Sequence, residues 1–142
     1  MPSAEQSIAV NAPIEKVFEM ITDFETYPDF QPEIVSAETL KKSTTSAEVA
    51  FSMNMIQKVD YILKFKLKKP KSITWEFVEG DSILKDNSGS WKLESLEPNL
   101  TDVTYKMNVE LNMWLPTSVI DSLLADHIPK MLERFKERAE SA

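Results

Sequence analysis

The longest helical pattern of apolar residues lies at the C-terminal end of the chain, in residues Leu115–Ala142. Its apolar residues recur at steps of three and four, as on one face of an amphipathic helix. They are Val119, Ile120, Leu123, Leu124, Ile128, Met131, Leu132 and Phe135. Pro129 cannot donate a backbone hydrogen bond to Ala125. We therefore expect a kink or break near Asp126–Ile128 that divides this helix into two segments.

The first part of the chain predicts one short strand followed by two short helices. Ser7–Val10 has the alternation of a strand. Asn11 is expected to cap a helix with Pro13 in its first turn, where the missing donor is harmless. The apolar stripe of this helix is Ile14, Val17, Phe18 and Ile21. A second short helix is expected at Asp23–Tyr27, ended by Pro28.

From residue 33 to residue 113 the hydrophobic period changes to two, which is the period of β-strands. Alternating inward positions include Phe51, Met53 and Met55, Tyr61, Leu63 and Phe65, Trp75 and Phe77, Asn87 and Trp91, and Tyr105, Met107, Val109 and Met113. One-sided alternation with short connections is typical of an antiparallel sheet with one wet face. Together with the terminal helix it predicts an α+β fold. About seven strands would form a curved antiparallel sheet wrapped around the long C-terminal helix, with two short helices after the first strand.

Composition narrows the possible functions. The chain has 142 residues, a net charge of −7, no cysteine and two glycines. This length suits one domain, residues 1–142. The absence of cysteine excludes disulfides and thiolate sites, and the acidic charge argues against DNA as a partner. No apolar run reaches the ~20 residues of a membrane span, and no signal-peptide pattern is present. We therefore expect a cytoplasmic protein without a metal or cofactor.

A single helix would fill the concave side of such a sheet incompletely, which leaves room for a cavity. Each inward residue taken alone is better explained as core, but as a set they are bulky and rich in methionine, which suits adaptable apolar recognition. An empty cavity of 400 Å³ would cost on the order of 10 kcal/mol, so a cavity of that size should be wet, occupied or collapsed. The predicted ligand-binding residues are Phe51, Met53, Met55, Tyr61, Leu63, Phe65, Trp75, Phe77, Asn87, Trp91, Tyr105, Met107, Val109, Leu124, Ile128 and Met131.

Three stretches carry a family resemblance. The run AVNAPIEKVFEMITDFETYPDFQPEIVSAETL, residues 9–40, the strand segment GSWKL, residues 89–93, and the helix segment MLERFKERA, residues 131–139, resemble the START-like (SRPBCC) superfamily. Within it, they resemble the polyketide cyclase/dehydrase and coenzyme Q-binding branch. The resemblance implies the helix-grip fold and a hydrophobic pocket between sheet and helix, without naming a ligand. Gly80–Asp81–Ser82 departs from the Gly-Pro-Phe turn usual in the quinone-binding branch.

Candidate catalytic residues are few. His127, the single histidine, lies one helical turn from Leu123 and from Met131 and could act as a general base at a cavity mouth. A partly exposed helix residue is the interpretation we favour. Tyr105 and Tyr61 could donate hydrogen bonds to a ligand carbonyl, or place their rings in the core. The sequence has no spacing typical of a nucleophile triad or zinc site, so a non-enzymatic role is favoured, with a cyclase or dehydratase as the enzymatic alternative.

Lys64, Lys66 and Lys68 share the polar face of one predicted strand. This basic strip is interpreted first as a solubilising face that discourages edge pairing. The alternative is a transient contact with anionic lipid headgroups at a membrane surface.

Together these patterns favour a binding protein for a hydrophobic small molecule such as a lipid, an isoprenoid quinone or a polyketide-like compound. Release would require opening near Pro129 or near the connection Asp23–Pro32. Two alternatives stay open: a cyclase or dehydratase that uses His127 or a pocket tyrosine, and a module that binds a protein partner or the ribosome.

Overall fold

The computed structural model describes residues 3–55, 57–112 and 115–141, apart from the side chain of Met55. The strands are β1 Ser3–Val10, β2 Ile34–Lys42, β3 Ser46–Met55, β4 Gln57–Lys68, β5 Ser72–Gly80, β6 Leu84–Glu97 and β7 Leu100–Leu111. The helices are α1 Ile14–Thr22, a 3-10 helix Phe24–Asp29 and α2 Thr117–Ser141. Among these described helices, none is long and apolar enough to cross a membrane.

The strands form one sheet in the order β1-β7-β6-β5-β4-β3-β2, and each neighbouring pair is antiparallel. Because β1 and β2 lie at opposite edges, α1 and the 3-10 helix connect one edge of the sheet to the other. The helix α2 packs along β1 and against α1. The predicted α+β helix-grip fold, with seven antiparallel strands curved around a long C-terminal helix, is confirmed.

Strand β4 shows how the twofold pattern places the core. Tyr61, Leu63, Phe65 and Leu67 are buried, and the lysines between them are exposed. Side chains alternate between the two faces of a strand, so the apolar face of β4 meets the core and the basic strip faces outward.

The pairing between β5 and β6 is short. Only Ser72–Trp75 pair with residues 89–92 of β6, although both strands continue beyond this point. The tip of the hairpin is instead held to its outer neighbours, because Asp81 N donates to Asp60 O on β4 at 2.8 Å and Asn112 N donates to Ile83 O at 2.7 Å. The two strands therefore separate beside Trp75.

The first helix begins differently from the prediction. Pro13 occupies the N-cap position of α1 and makes no side-chain cap. Asn11 is not the cap, because its backbone N and its Nδ2 both donate to Glu140 Oε2 at the end of α2, at 2.8 and 3.1 Å. The second short helix is a 3-10 helix that contains Pro28 and ends at Asp29. The helix predicted at Asp23–Tyr27 therefore ends two residues later than expected.

The predicted division of the last helix is wrong, because α2 is one α-helix that runs through Pro129. A proline inside a helix costs about 3 kcal/mol. The neighbouring Ile128 and Leu132 are only 2% and 1% exposed, and burying each contributes about 1.5–3 kcal/mol. Burial of the apolar stripe therefore offsets the cost of the proline.

Candidate functional site

A cavity of about 150 Å³ lies between the concave face of the sheet and α2. Most of the predicted site residues line it: Phe51, Met53, Tyr61, Leu63, Phe65, Trp75, Asn87, Trp91, Tyr105, Met107, Val109, His127 and Met131. They come from strands β3 to β7 and from α2. The cavity is smaller than the several hundred Å³ considered from the sequence, and leaving it empty would cost about 4 kcal/mol.

Leu124 and Ile128 do not line the cavity, although both were predicted to. Both are buried in the core, at 3% and 2% exposure. The wall is formed instead by the adjacent row of α2, which is His127, Met131 and Phe135. The apolar stripe of α2 is wider than the cavity, so the sequence pattern could not separate the row that meets the cavity from the row that meets the remaining core.

Phe77 also lies outside the cavity wall. It is half-buried against the core, opposite Leu63, just past a register shift between Ile62 and Leu63. The alternation counted along β5 alone could not show this irregularity in pairing. The predictions for the side chain of Met55 and for Met113 lie outside the described residues.

Several wall residues were not among the predicted site residues: Tyr27, Gln31, Glu33, Ile34, Val59, Ile83, Leu84, Leu111 and Phe135. Phe135 belongs to the amphipathic stripe of α2, and Val59 and Leu111 follow the alternation of their strands. The hydrophobic pattern could therefore have identified these three. Gln31 and Glu33 are polar residues of a connection, where hydrophobic periodicity gives no information.

Aromatic side chains form the buried floor of the cavity. The ring of Trp91 lies 4.7 Å from that of Tyr105 and 5.1 Å from that of Phe135, centroid to centroid. Trp75 lies 5.6 Å from Tyr105. Such ring pairs add to the stability that burial gives, so the floor should be the most rigid part of the wall.

Trp75 orients Asn87 in the cavity wall. Trp75 Nε1 donates to Asn87 Oδ1 at 3.0 Å, and both residues are buried. Because an indole N–H can only donate, its partner must be the amide oxygen, which fixes the orientation of the carboxamide. The Nδ2 group of Asn87 is thereby left available as a donor at the wall.

The tyrosine hydroxyls of the wall are neutral. Burial raises the pKa of Tyr61 and of Tyr105 well above the usual value of a phenol. Tyr61 OH donates to Met53 Sδ at 3.5 Å, a weak acceptor. At physiological pH these tyrosines can donate hydrogen bonds to a ligand but cannot act as bases.

One section of the cavity wall is polar, where the start of β2 meets α2. Arg134 Nη1 donates to Glu33 Oε2 at 3.1 Å and to Oε1 at 3.3 Å. His127 Nδ1 lies 3.9 Å from Glu33 Oε1, which is too far for a hydrogen bond. Burial lowers the pKa of His127, and the opposing effect of Glu33 is smaller. His127 is therefore neutral near pH 7 and is able to accept a proton.

The basic strip Lys64, Lys66 and Lys68 is exposed on the outer face of β4, away from the cavity. In the sheet register Lys64 stands between Glu48 of β3 and Glu76 of β5. These carboxylates offset part of the local positive charge, which favours the solubilising interpretation. Contact with a membrane surface stays a prediction.

A seven-stranded antiparallel sheet that holds a long C-terminal helix over an apolar cavity defines a protein of the helix-grip fold. The family of polyketide cyclase/dehydrase and lipid transport proteins matches residues 10–136. The chain belongs to this family. The narrower resemblance to a coenzyme Q-binding branch stays a prediction.

Solved structures share the fold at low sequence identity. A START superfamily protein from Mycobacterium smegmatis has a TM-score of 0.87 at 18% identity, over 97% of each chain. The Zhui aromatase/cyclase from Streptomyces sp. R1128 has a TM-score of 0.83 at 18% identity, over 97% of this chain and 93% of its own. A STAR-related lipid transfer protein from Xanthomonas axonopodis has a TM-score of 0.78 at 17% identity, over 96% and 85%. A sequence comparison with curated proteins finds no match.

Proposed function

We propose that this protein binds a hydrophobic small molecule, such as a lipid, an isoprenoid quinone or a polyketide-like compound, in the cavity between the sheet and α2. The observation that carries the proposal is the cavity itself, with an aromatic floor and a wall that is mostly apolar. Small-molecule sites combine such apolar walls with a few placed polar groups.

The polar groups in the deeper wall favour a particular kind of ligand. Asn87 Nδ2 and the hydroxyls of Tyr61 and Tyr105 are neutral hydrogen-bond donors. A ligand with an acceptor oxygen, such as a carbonyl, would satisfy them. A ligand that places only apolar atoms there would leave Asn87 Nδ2 and the Tyr105 hydroxyl without a partner, at a cost of about 1–3 kcal/mol for each.

The size of the cavity sets a further condition. A dry cavity of about 150 Å³ holds a benzene-sized molecule, so a lipid or a fused-ring compound must widen it. Met53, Met107 and Met131 lie in the wall and are half-buried. Their flexible side chains can adopt other rotamers at low cost, and we expect them to move when a larger ligand binds.

Titration with defined compounds tests this proposal. The neutral fluorophore N-phenyl-1-naphthylamine, a short-chain quinone and a fatty acid would each be added, with thermal unfolding as the readout. Binding at one hundred times Kd should raise the free energy of unfolding by about 2.7 kcal/mol. Tyr105→Phe should weaken binding of the quinone about fivefold and leave the fluorophore unchanged. Failure of all three compounds to stabilise the protein would contradict the proposal.

A second candidate function is supported by His127. This side chain lines the cavity, burial lowers its pKa, and a carboxylate lies within 4 Å. A neutral imidazole at the wall could remove a proton from a poly-ketone substrate, as cyclisation or dehydration requires. His127→Asn should then abolish turnover without abolishing binding. Absence of turnover in the wild type would leave only the binding function.

A further inference from the structure

The seam between residues 31–33 and α2 is the part of the cavity wall closed by side-chain polar contacts. Gln31 is 1% exposed and its Nε2 donates to Met131 O at 3.0 Å. Arg134 then bridges both carboxylate oxygens of Glu33 and lies 3.5 Å from Gln31 Oε1. Gln31, Glu33 and Met131 all line the cavity. A single layer of side chains therefore separates the cavity from solvent along this seam.

Other parts of the wall are harder to open. Between β3 and β4 the wall is a continuous ladder of backbone pairs, from Ser46 opposite Lys66 to Met55 opposite Gln57. Along the C-terminal half of α2, Phe135 packs on Tyr27, Phe30 and Trp91, with centroids 5.0–5.2 Å apart. Opening either would expose backbone groups or aromatic rings.

When the seam opens, water can hydrate the polar side chains that lose their partners. The side chains of Glu33 and Arg134 are already 29% and 28% exposed. An ion pair with this exposure is weak, because each charge is well hydrated when the pair is broken. The polar ends of Gln31 and Arg134 would likewise be solvated on opening. Of these three sections of the wall, the seam is therefore the one whose opening costs least.

We propose that this seam is the ligand portal and that Gln31, Glu33 and Arg134 form a latch that keeps it closed. The proposal rests on the proposed function, because a portal has meaning only if the cavity takes up a ligand. The latch sets how often the portal opens, and its ion pair lies on the solvent side of the wall, where Glu33 and Arg134 are 29% and 28% exposed. Loosening it should accelerate both uptake and release of a ligand.

The test is ligand exchange in the double variant Glu33→Gln/Arg134→Gln, which removes both charges and leaves none unpaired. Stopped-flow fluorescence with N-phenyl-1-naphthylamine gives the association and dissociation rates. Both should rise about fivefold, the factor that corresponds to one weak ion pair. Lys130→Gln is the matched control, because Lys130 pairs with Asp126 within α2, at 3.2 Å, and does not cross the seam. The control should exchange at the wild-type rates.

Hydrogen exchange provides a readout that needs no ligand. The amide of Gln31 donates to Tyr27 O at 2.8 Å and that of Ile34 donates to Gln31 O at 3.0 Å. Both amides should lose protection in the double variant and keep it in Lys130→Gln. Unchanged protection, or exchange rates of the probe equal to the wild type, would overturn the latch.

The two proposals fail in different ways. If the wild type does not bind the probe or any of the other compounds, the proposed function fails, and the portal fails with it. If the probe binds but the double variant raises only the dissociation rate, so that Kd rises with it, the cavity is a binding site. In that case Glu33 and Arg134 belong to the site itself and the latch is wrong.

Discussion

Gly89 is the residue that allows Trp75 to lie across β6 and reach Asn87. A Cβ added at this position would lie 2.5 Å from Cζ2 of Trp75 and would collide with the carbonyl oxygen of Lys106. The requirement is space, because the indole and the neighbouring strand already occupy the place of a side chain. The orientation of the Asn87 amide therefore depends on the absence of a side chain two residues away.

We expect Gly89→Ala to lower the free energy of unfolding by about 1–3 kcal/mol, the usual cost of overpacking. Chemical denaturation measures this directly. Ser90→Ala is the control, because Ser90 is the next residue of β6 and its side chain lies on the opposite face. A stability of Gly89→Ala within experimental error of the wild type would show that Trp75 does not lie where the structure has it.

His127 should make stability depend on pH. Its pKa in the folded state is lowered, chiefly by burial, below the ordinary histidine value of about 6.5. As the pH falls below about 6.5, His127 takes up a proton in the unfolded chain but stays neutral in the folded protein, so the free energy of unfolding decreases. Above pH 7 both states are neutral and the effect vanishes.

The measurement is denaturation of the wild type and of His127→Asn between pH 7.5 and pH 5.5. The wild type should lose more stability than the variant over this interval. If the stability of the two proteins changes in parallel with pH, a lowered pKa of His127 is contradicted. If the wild type instead becomes more stable on acidification, the pKa of His127 is raised in the folded state.

At the scale of elements, α2 tolerates Pro129 because the residues around it are buried. Pro129→Ala would restore the backbone donor to Ala125 and remove the clash of the ring with the preceding turn. We expect the free energy of unfolding to rise by up to about 3 kcal/mol. Pro116→Ala, immediately before the helix, is the control and should change little, because no intrahelical bond is missing there. A loss of stability in Pro129→Ala would contradict this account and would mean that the restriction of the unfolded chain by proline outweighs the missing hydrogen bond.

The elements were largely predictable, and the errors have a common origin. Hydrophobic period identified the strands from β2 to β7 and the long final helix, because each presents one face to a single core. It misjudged Pro129, since a local rule for one residue was given more weight than the burial of a long stripe. The capping preference of asparagine likewise predicted a cap at Asn11, whose partner is Glu140 near the other end of the chain. Long-range pairings of this kind leave no local pattern.

At the scale of the whole molecule, the part of the cavity wall that lies on the strands could be predicted. Phe51, Trp75, Trp91 and Tyr105 face it because the alternation of their strands places them on the concave face. Two of the three latch residues come from a connection and the third comes from α2, and they meet only because the sheet curves around α2. The family resemblance pointed to the pocket but named no polar residue in it.

Met107→Trp should close the cavity without disturbing the fold. The larger side chain would occupy the volume in which a ligand lies, and overpacking should cost about 1–3 kcal/mol of stability. Affinity for N-phenyl-1-naphthylamine should fall at least tenfold. Leu96→Trp is the control, because Leu96 is 51% exposed and distant from the cavity wall. Undiminished affinity in Met107→Trp would place the bound probe elsewhere on the molecule.

Native mass spectrometry of the protein purified without detergent, followed by solvent extraction, tests most directly whether the cavity holds a hydrophobic ligand. We expect a fraction of the protein to carry one adduct of a few hundred daltons, which solvent removes and which Met107→Trp lacks. Identification of the extracted compound would give the ligand class. A clean mass of the unliganded chain, together with no stabilisation by lipids, quinones or aromatic ketones, would contradict the binding function and leave the cavity as a gap in a packed core.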